Sequence, residues 1–193
     1  MALIKHVKLR DSTDVGASTD PYGRAMTTIR VHIDSTLAPA TFIFAARDFG
    51  PRRVDIFPAV RSEHFHVHDE GGTTADVTEG TPAGIGVNWE RCDYDWSHPD
   101  RVIATVTGSN VYAHPGSVWE LTATAAPGGS SVEMTWTRRF RRTPRGLIFG
   151  MLFKVVGRPL FRGYAREVVQ NIERLESGAP SPDGAAPPVQ AGA

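Results

Sequence analysis

The stretch Thr27-Thr28-Ile29-Arg30-Val31-His32-Ile33-Asp34-Ser35, followed after three residues by Pro39-Ala40-Thr41-Phe42-Ile43-Phe44, changes its pattern at Pro39. Before it, Ile29, Val31 and Ile33 alternate with Thr28, Arg30, His32 and Asp34, the period-two signature of a strand with one face on a core and one in water. After it, proline suits the first turn of a helix, because its fixed φ is already helical and its missing N–H is one the first turn leaves unpaired. Residues 38–48 therefore read as a short helix closed by Gly50-Pro51, and residues 53–59 as a second one.

Toward the C-terminus the chain reads as a meander, with strands expected at 62–69, 73–80, 85–97, 101–112, 117–126 and 131–142. Turn residues separate them, among them Glu70-Gly71-Gly72, Pro82-Ala83-Gly84, His98-Pro99-Asp100, His114-Pro115-Gly116 and Pro127-Gly128-Gly129. A helical segment from about Pro144 to Glu176 follows, bent or interrupted near Gly157 and Pro159, with Leu160, Tyr164, Val168, Ile172 and Leu175 along one face. These elements place one domain at 25–176, between an N-terminal extension at 1–24 and a Pro/Ala/Gly tail at 177–193 that has little to bury and reads as disordered.

The whole is 193 residues, enough for one sizeable core. Lys plus Arg and Asp plus Glu each total 21, so net charge gives no reason to expect nucleic acid. The single cysteine, Cys92, excludes a disulfide framework and fits a reducing compartment. The first residues lack the apolar run of a signal peptide, and the longest apolar run, at 147–153, is far short of a membrane span. The expected location is the cytoplasm.

The order of one strand, two short helices, six antiparallel strands and a long C-terminal helix resembles the START-like superfamily, or helix-grip fold, an α+β architecture shared by pollen allergens and by polyketide cyclase/dehydrase and lipid-transport families. Stretches that look like its bacterial members are Val31-His32-Ile33-Asp34 with Pro39 to Phe44, Val87 to Trp96, and Val118-Trp119-Glu120-Leu121. The resemblance implies a seven-stranded curved sheet gripping the helix. It carries no catalytic signature, so it speaks to fold before function.

A sheet curved round a helix leaves a gap where facing side chains are too small to meet, and such a gap is the default ligand site. Alternation puts Val132, Met134, Trp136, Arg138 and Phe140 inward on the last strand, and Trp119, Leu121 and Ala123 inward on the one before. On the strand at 101–112, the register set by Val102, Ala104 and Val106 brings Asn110 and Tyr112 inward. The strand at 85–97 is ambiguous; taking the less charged face as inner places Asn88, Glu90, Cys92, Tyr94 and Trp96 inside, with Arg138 as the partner Glu90 needs. The candidate ligand contacts are Glu90, Tyr94, Trp96, Asn110, Tyr112, Trp119, Trp136 and Arg138. The competing reading is that these groups satisfy one another in a filled interior.

Other motifs carry less. His64, His66 and His68 stand at every second position, neighbours roughly 7 Å apart and the ends roughly 13 Å apart. A metal would need Asp76 or Glu79 from the next strand, and the preferred reading turns Phe65 and Val67 inward and the histidines to solvent. No metal and no cofactor are expected. Cys92 in mid-strand reads as a buried filler before a nucleophile. Neither Gly108-Ser109-Asn110 nor Pro115-Gly116-Ser117 makes a nucleophile elbow, and Gly84-Ile85-Gly86 is no dinucleotide fingerprint. Arg138, Arg139, Arg141, Arg142 and Arg145 lie beside the apolar run 147–153. Arginines facing water at a strand end are preferred there to weak docking on an anionic membrane.

The leading expectation is a monomer or homodimer that binds a hydrophobic small molecule, such as a lipid, an isoprenoid or a polyketide-like compound. The rivals are an enzyme resembling polyketide cyclases, with Tyr94, Glu90 or Arg138 handling protons and enolate charge, and a membrane-docking or structural module.

Overall fold

In the computed structural model, which describes residues 14–19, 25–82, 87–110, 115–140 and 144–178, Ile29, Val31 and Ile33 are at most 3% exposed, as their alternation requires. They belong to β2 (Ala25–Ser35), which leads into α1 (Pro39–Ala46), with Pro39 at the start of the helix, and then into α2 (Arg53–Ile56), a single turn where a longer helix was expected. The meander is β3 (Phe65–Glu70), β4 (Thr74–Pro82), β5 (Val87–Asp95), β6 (Arg101–Ser109), β7 (Val118–Ala126) and β8 (Gly129–Arg139), closed by α3 (Pro144–Glu176). All seven expected strands form. An eighth, β1 (Val15–Thr19), lies in the N-terminal extension and pairs with β2.

Every pairing is antiparallel, and the sheet order is β1-β2-β8-β7-β6-β5-β4-β3. The chain thus meanders from β3 to β8 and closes by pairing β8 with β2. One face of the sheet carries Val77, Val102, Val106, Leu121, Val132 and Met134, all at most 2% exposed. Ala165, Val168, Val169 and Ile172 of α3 share this core.

The helix runs as one element through Gly157 and Pro159 rather than breaking there. Gly157 eases the approach of α3 to β2: a Cβ on it would stand 2.6 Å from Cδ1 of the buried Ile29, whose side chain would have to shift to admit it. The expected inward face of α3 holds at Val168 and Ile172, which are buried, and at Tyr164 and Leu175, which pack against the core, but not at Leu160. Leu160 is 64% exposed, while Phe153, Gly157 and Ala165 are buried.

Candidate ligand-binding cavity

Between sheet and helix lies a cavity of about 410 Å³, within the range of small-molecule sites. It exists because of Ala104 and Val106. Ala104 of β6 pairs with Tyr94 on one side and Trp119 on the other, so a methyl group sits between two large rings and leaves space beneath α3. Phe57, Trp119, Trp136 and Phe161 supply aromatic walls, with Trp136 tilted against Phe161 at 4.7 Å and Phe57 edge-on to Trp119 at 5.9 Å.

Two ion pairs cross this apolar space. The first is built on Arg53, which α2 carries inward until the side chain is only 1% exposed. Its guanidinium donates from Nε to Glu79 Oε1 at 2.9 Å, from Nη1 to the carbonyl of Ala46 at 2.7 Å and from Nη2 to the Tyr94 hydroxyl at 2.8 Å. It also lies over the rings of Phe57 at 4.0 Å and Phe49 at 4.9 Å. A planar fork with several donors can satisfy itself in this way where an ammonium cannot. Burial pulls the Arg53 guanidinium downward, but the charge of Glu79 and its hydrogen bond outweigh that and hold the group charged.

The second pair joins opposite parts of the sheet. Arg138 of β8 donates from Nη1 to both carboxylate oxygens of Glu90 on β5, at 2.9 and 3.1 Å. Three strand spacings, roughly 14 Å, would separate these strands in a flat sheet. Their contact reports how strongly the sheet curls, and it places a polar strap across one end of the cavity. Both side chains are partly exposed, Arg138 by 13% and Glu90 by 28%.

The remaining polar groups on the wall stay neutral. Burial, and then the negative charge of Glu79, push the Tyr94 phenol well above its usual range; burial does the same first and foremost to Tyr164. Burial, followed by the nearby Glu90, raises the Cys92 thiol. Cys92 is therefore expected to react with a bulky thiol reagent at least about tenfold more slowly in the native protein than in denaturant, measured as thiol release in mildly alkaline buffer. Equal rates would contradict its burial.

Of the eight residues expected to contact a ligand, Glu90, Tyr94, Trp119, Trp136 and Arg138 line the cavity. Asn110 does not. On β6 the register with β5 shifts between Val106 and Gly108, opposite Cys92 and Arg91, so Thr107 is an extra residue and the alternation reverses beyond it. Ser109 comes inward in its place, and the exposed Asn110 uses its side chain to extend the β5 edge, accepting from the Trp89 N–H at 2.9 Å and donating to the Val87 carbonyl at 2.7 Å. Trp96 is buried elsewhere: it packs on Phe49 and donates from Nε1 to the Gly72 carbonyl at 3.1 Å. Tyr112 lies outside the described residues.

The histidines do not converge. His64 sits on a 3₁₀ turn (Ser62–His64) ahead of β3 instead of on a strand, while the His66 and His68 rings meet edge to face at 4.5 Å and His68 bonds Thr78 Oγ1 at 2.8 Å. Asp76 is clasped by Arg91, and Glu79 lies on the cavity face with Arg53. Among the described residues, no group of three or more His, Cys, Asp or Glu is placed to hold a metal ion. The arginine cluster divides as well. Arg138 turns inward, Arg139 lies on the other face against Gly116, and Arg141, Arg142 and the Arg145 side chain fall outside the described residues.

Sequence reading overlooked Arg53 and Ser109 on the wall and had Tyr164 only as part of the helix's apolar face. Arg53 is one of two adjacent arginines, Arg52 and Arg53, between Phe49 and Phe57, and nothing in the local pattern marks which of the two turns inward.

The architecture is the α+β helix-grip fold. It matches the aromatase/cyclase Zhui from Streptomyces sp. R1128 with a TM-score of 0.63 at 14% identity, over 80% of this chain and 99% of that one. It matches Ara h 8.0201 with a TM-score of 0.55 at 14% identity, over 79% and 99% of the two chains. Human STARD10 gives 0.58 at 8% identity, over 85% of this chain and 75% of the other. No family model and no curated protein matches the sequence. Identity this low establishes the fold and leaves the function to be argued from the cavity.

Proposed function

We propose that residues 25–176 form a ligand-binding domain that takes up a largely apolar small molecule, a lipid, isoprenoid or polyketide-like compound, in the cavity beneath α3. We also propose that it works in the cytoplasm, which its one buried, unpaired cysteine supports. The observation that carries the reading is the aromatic-walled cavity of about 410 Å³ with charged groups already paired inside it. Apolar burial supplies the affinity, while Glu90, Arg138 and Tyr94 orient a polar substituent.

Binding is favoured over catalysis by the state of the wall. Both carboxylates are committed to arginines, and the two phenols and the thiol are held in their neutral forms. Such groups donate and accept hydrogen bonds; they do not supply a ready base near neutral pH.

Native mass spectrometry of the protein after incubation with a lipid extract is expected to show a bound species. Ala104→Phe, which fills the space between Tyr94 and Trp119, should reduce that species about tenfold or more. It should leave the melting temperature within a few degrees, because the added ring enters a void and displaces no packed side chain. A protein that takes up nothing, or an Ala104→Phe variant that binds as wild type does, sinks the reading.

A further inference from the structure

The two halves of α3 are buried in opposite senses. Beyond Ala165 its apolar residues face the core, but before it Ile148, Met151, Leu152, Val155, Val156 and Leu160 are between 41% and 72% exposed. At 3.6 residues per turn these positions form one broad stripe that is centred on the outer side of the helix at Ile148, Val155 and Leu152 and runs round at Val156 and Leu160 to meet the inner side, where Phe153 and Gly157 pack on the protein. A helix apolar on its outer face as well as its inner one is not finished by the fold that carries it.

The charges beside the stripe identify its cover. From Pro144 to Arg166 the chain contains five basic residues, Arg145, Lys154, Arg158, Arg162 and Arg166, and no Asp or Glu. Lys154 and Arg158 are exposed and lie along one flank of the stripe. A second copy packed here by two-fold symmetry would bring these cations toward their own equivalents, with no carboxylate on this half of the helix to offset them. An anionic lipid surface suits both features: acyl chains for the stripe and headgroup charge for the flank. No helix among the described residues is long and apolar enough to cross a membrane, so the helix would lie in the interface.

We infer that the N-terminal half of α3 docks the protein onto an anionic lipid bilayer. Leu160 belongs both to the stripe and to the cavity wall, so docking brings the cavity mouth to the lipid surface, where an apolar molecule can enter without crossing water.

The test is co-sedimentation of the full chain with phosphatidylcholine vesicles containing or lacking phosphatidylglycerol. Binding is expected only with the anionic lipid, is weakened by salt, and falls about tenfold or more in Lys154→Glu/Arg158→Glu. It should be lost in Met151→Asp/Val155→Asp, whose exposed positions leave thermal melting unchanged. The Ala104→Phe variant, with its cavity filled, should still dock, which separates this inference from the proposal about the cavity. Absence of binding to either vesicle, or charge-reversed protein that binds as wild type does, overturns it. So does a wild-type dimer that ignores vesicles and dissociates in Met151→Asp/Val155→Asp, an outcome that assigns the stripe to a second copy.

Discussion

Arg53→Met is expected to destabilise the protein by about 3 kcal/mol or more, the range seen when one partner of a buried ion pair is removed. For a chain of this length that lowers the melting temperature by roughly 10 °C. Methionine fills much of the same volume, so packing is nearly kept; what is lost is the partner of three acceptors, Glu79, the Ala46 carbonyl and the Tyr94 hydroxyl. Arg53→Lys should fall between the two, keeping the charge but lacking the fork and the flat face that rests on Phe57. The informative variant is Arg53→Met/Glu79→Leu. If the penalty comes from stranding Glu79 in an apolar place, removing both charges recovers most of the stability, and chemical denaturation of the four proteins measures it. Single and double variants as stable as wild type would show that this network contributes nothing to folding.

That residue also marks where sequence reading reached its limit. Strand faces were legible wherever hydrophobic alternation ran unbroken, as in β2 and β8, because a one-residue error would turn every apolar side chain into water. Pro39 and the Gly-rich turns fixed the order of elements for equally local reasons. Asn110 was misplaced because Thr107 adds a residue to one strand only; such a bulge is set by the partner strand and leaves no trace in the alternation. Arg53 was overlooked because its burial depends on Phe49, Glu79 and Tyr94 arriving from three other parts of the chain. The choice of inner face on β5 succeeded by a different kind of reasoning: Glu90 inside demanded a cation, and the inward pattern of β8 supplied Arg138.

Arg138→Glu is expected to abolish ligand uptake and to lower stability by about 2 kcal/mol. Two carboxylates about 4 Å apart repel by about 4 kcal/mol at an effective dielectric near 20, and partial exposure of Glu90 lets one of them turn toward water and relieve about half of that. The strap across the cavity end then opens, and the polar groups that would face a ligand become two like charges with no counter-ion. The exchange Arg138→Glu/Glu90→Arg restores the pair with its ends reversed, so most of the stability should return. Ligand uptake should return less completely, because the fork now projects from β5 instead of β8 and meets the polar end of the ligand from another direction. Denaturation midpoints and native mass spectrometry on wild type, the reversal and the exchange give both readings from the same samples. If the reversal binds as wild type does, the polar end of the ligand lies elsewhere on the wall, and Tyr94 beside Arg53 becomes the place to look for it.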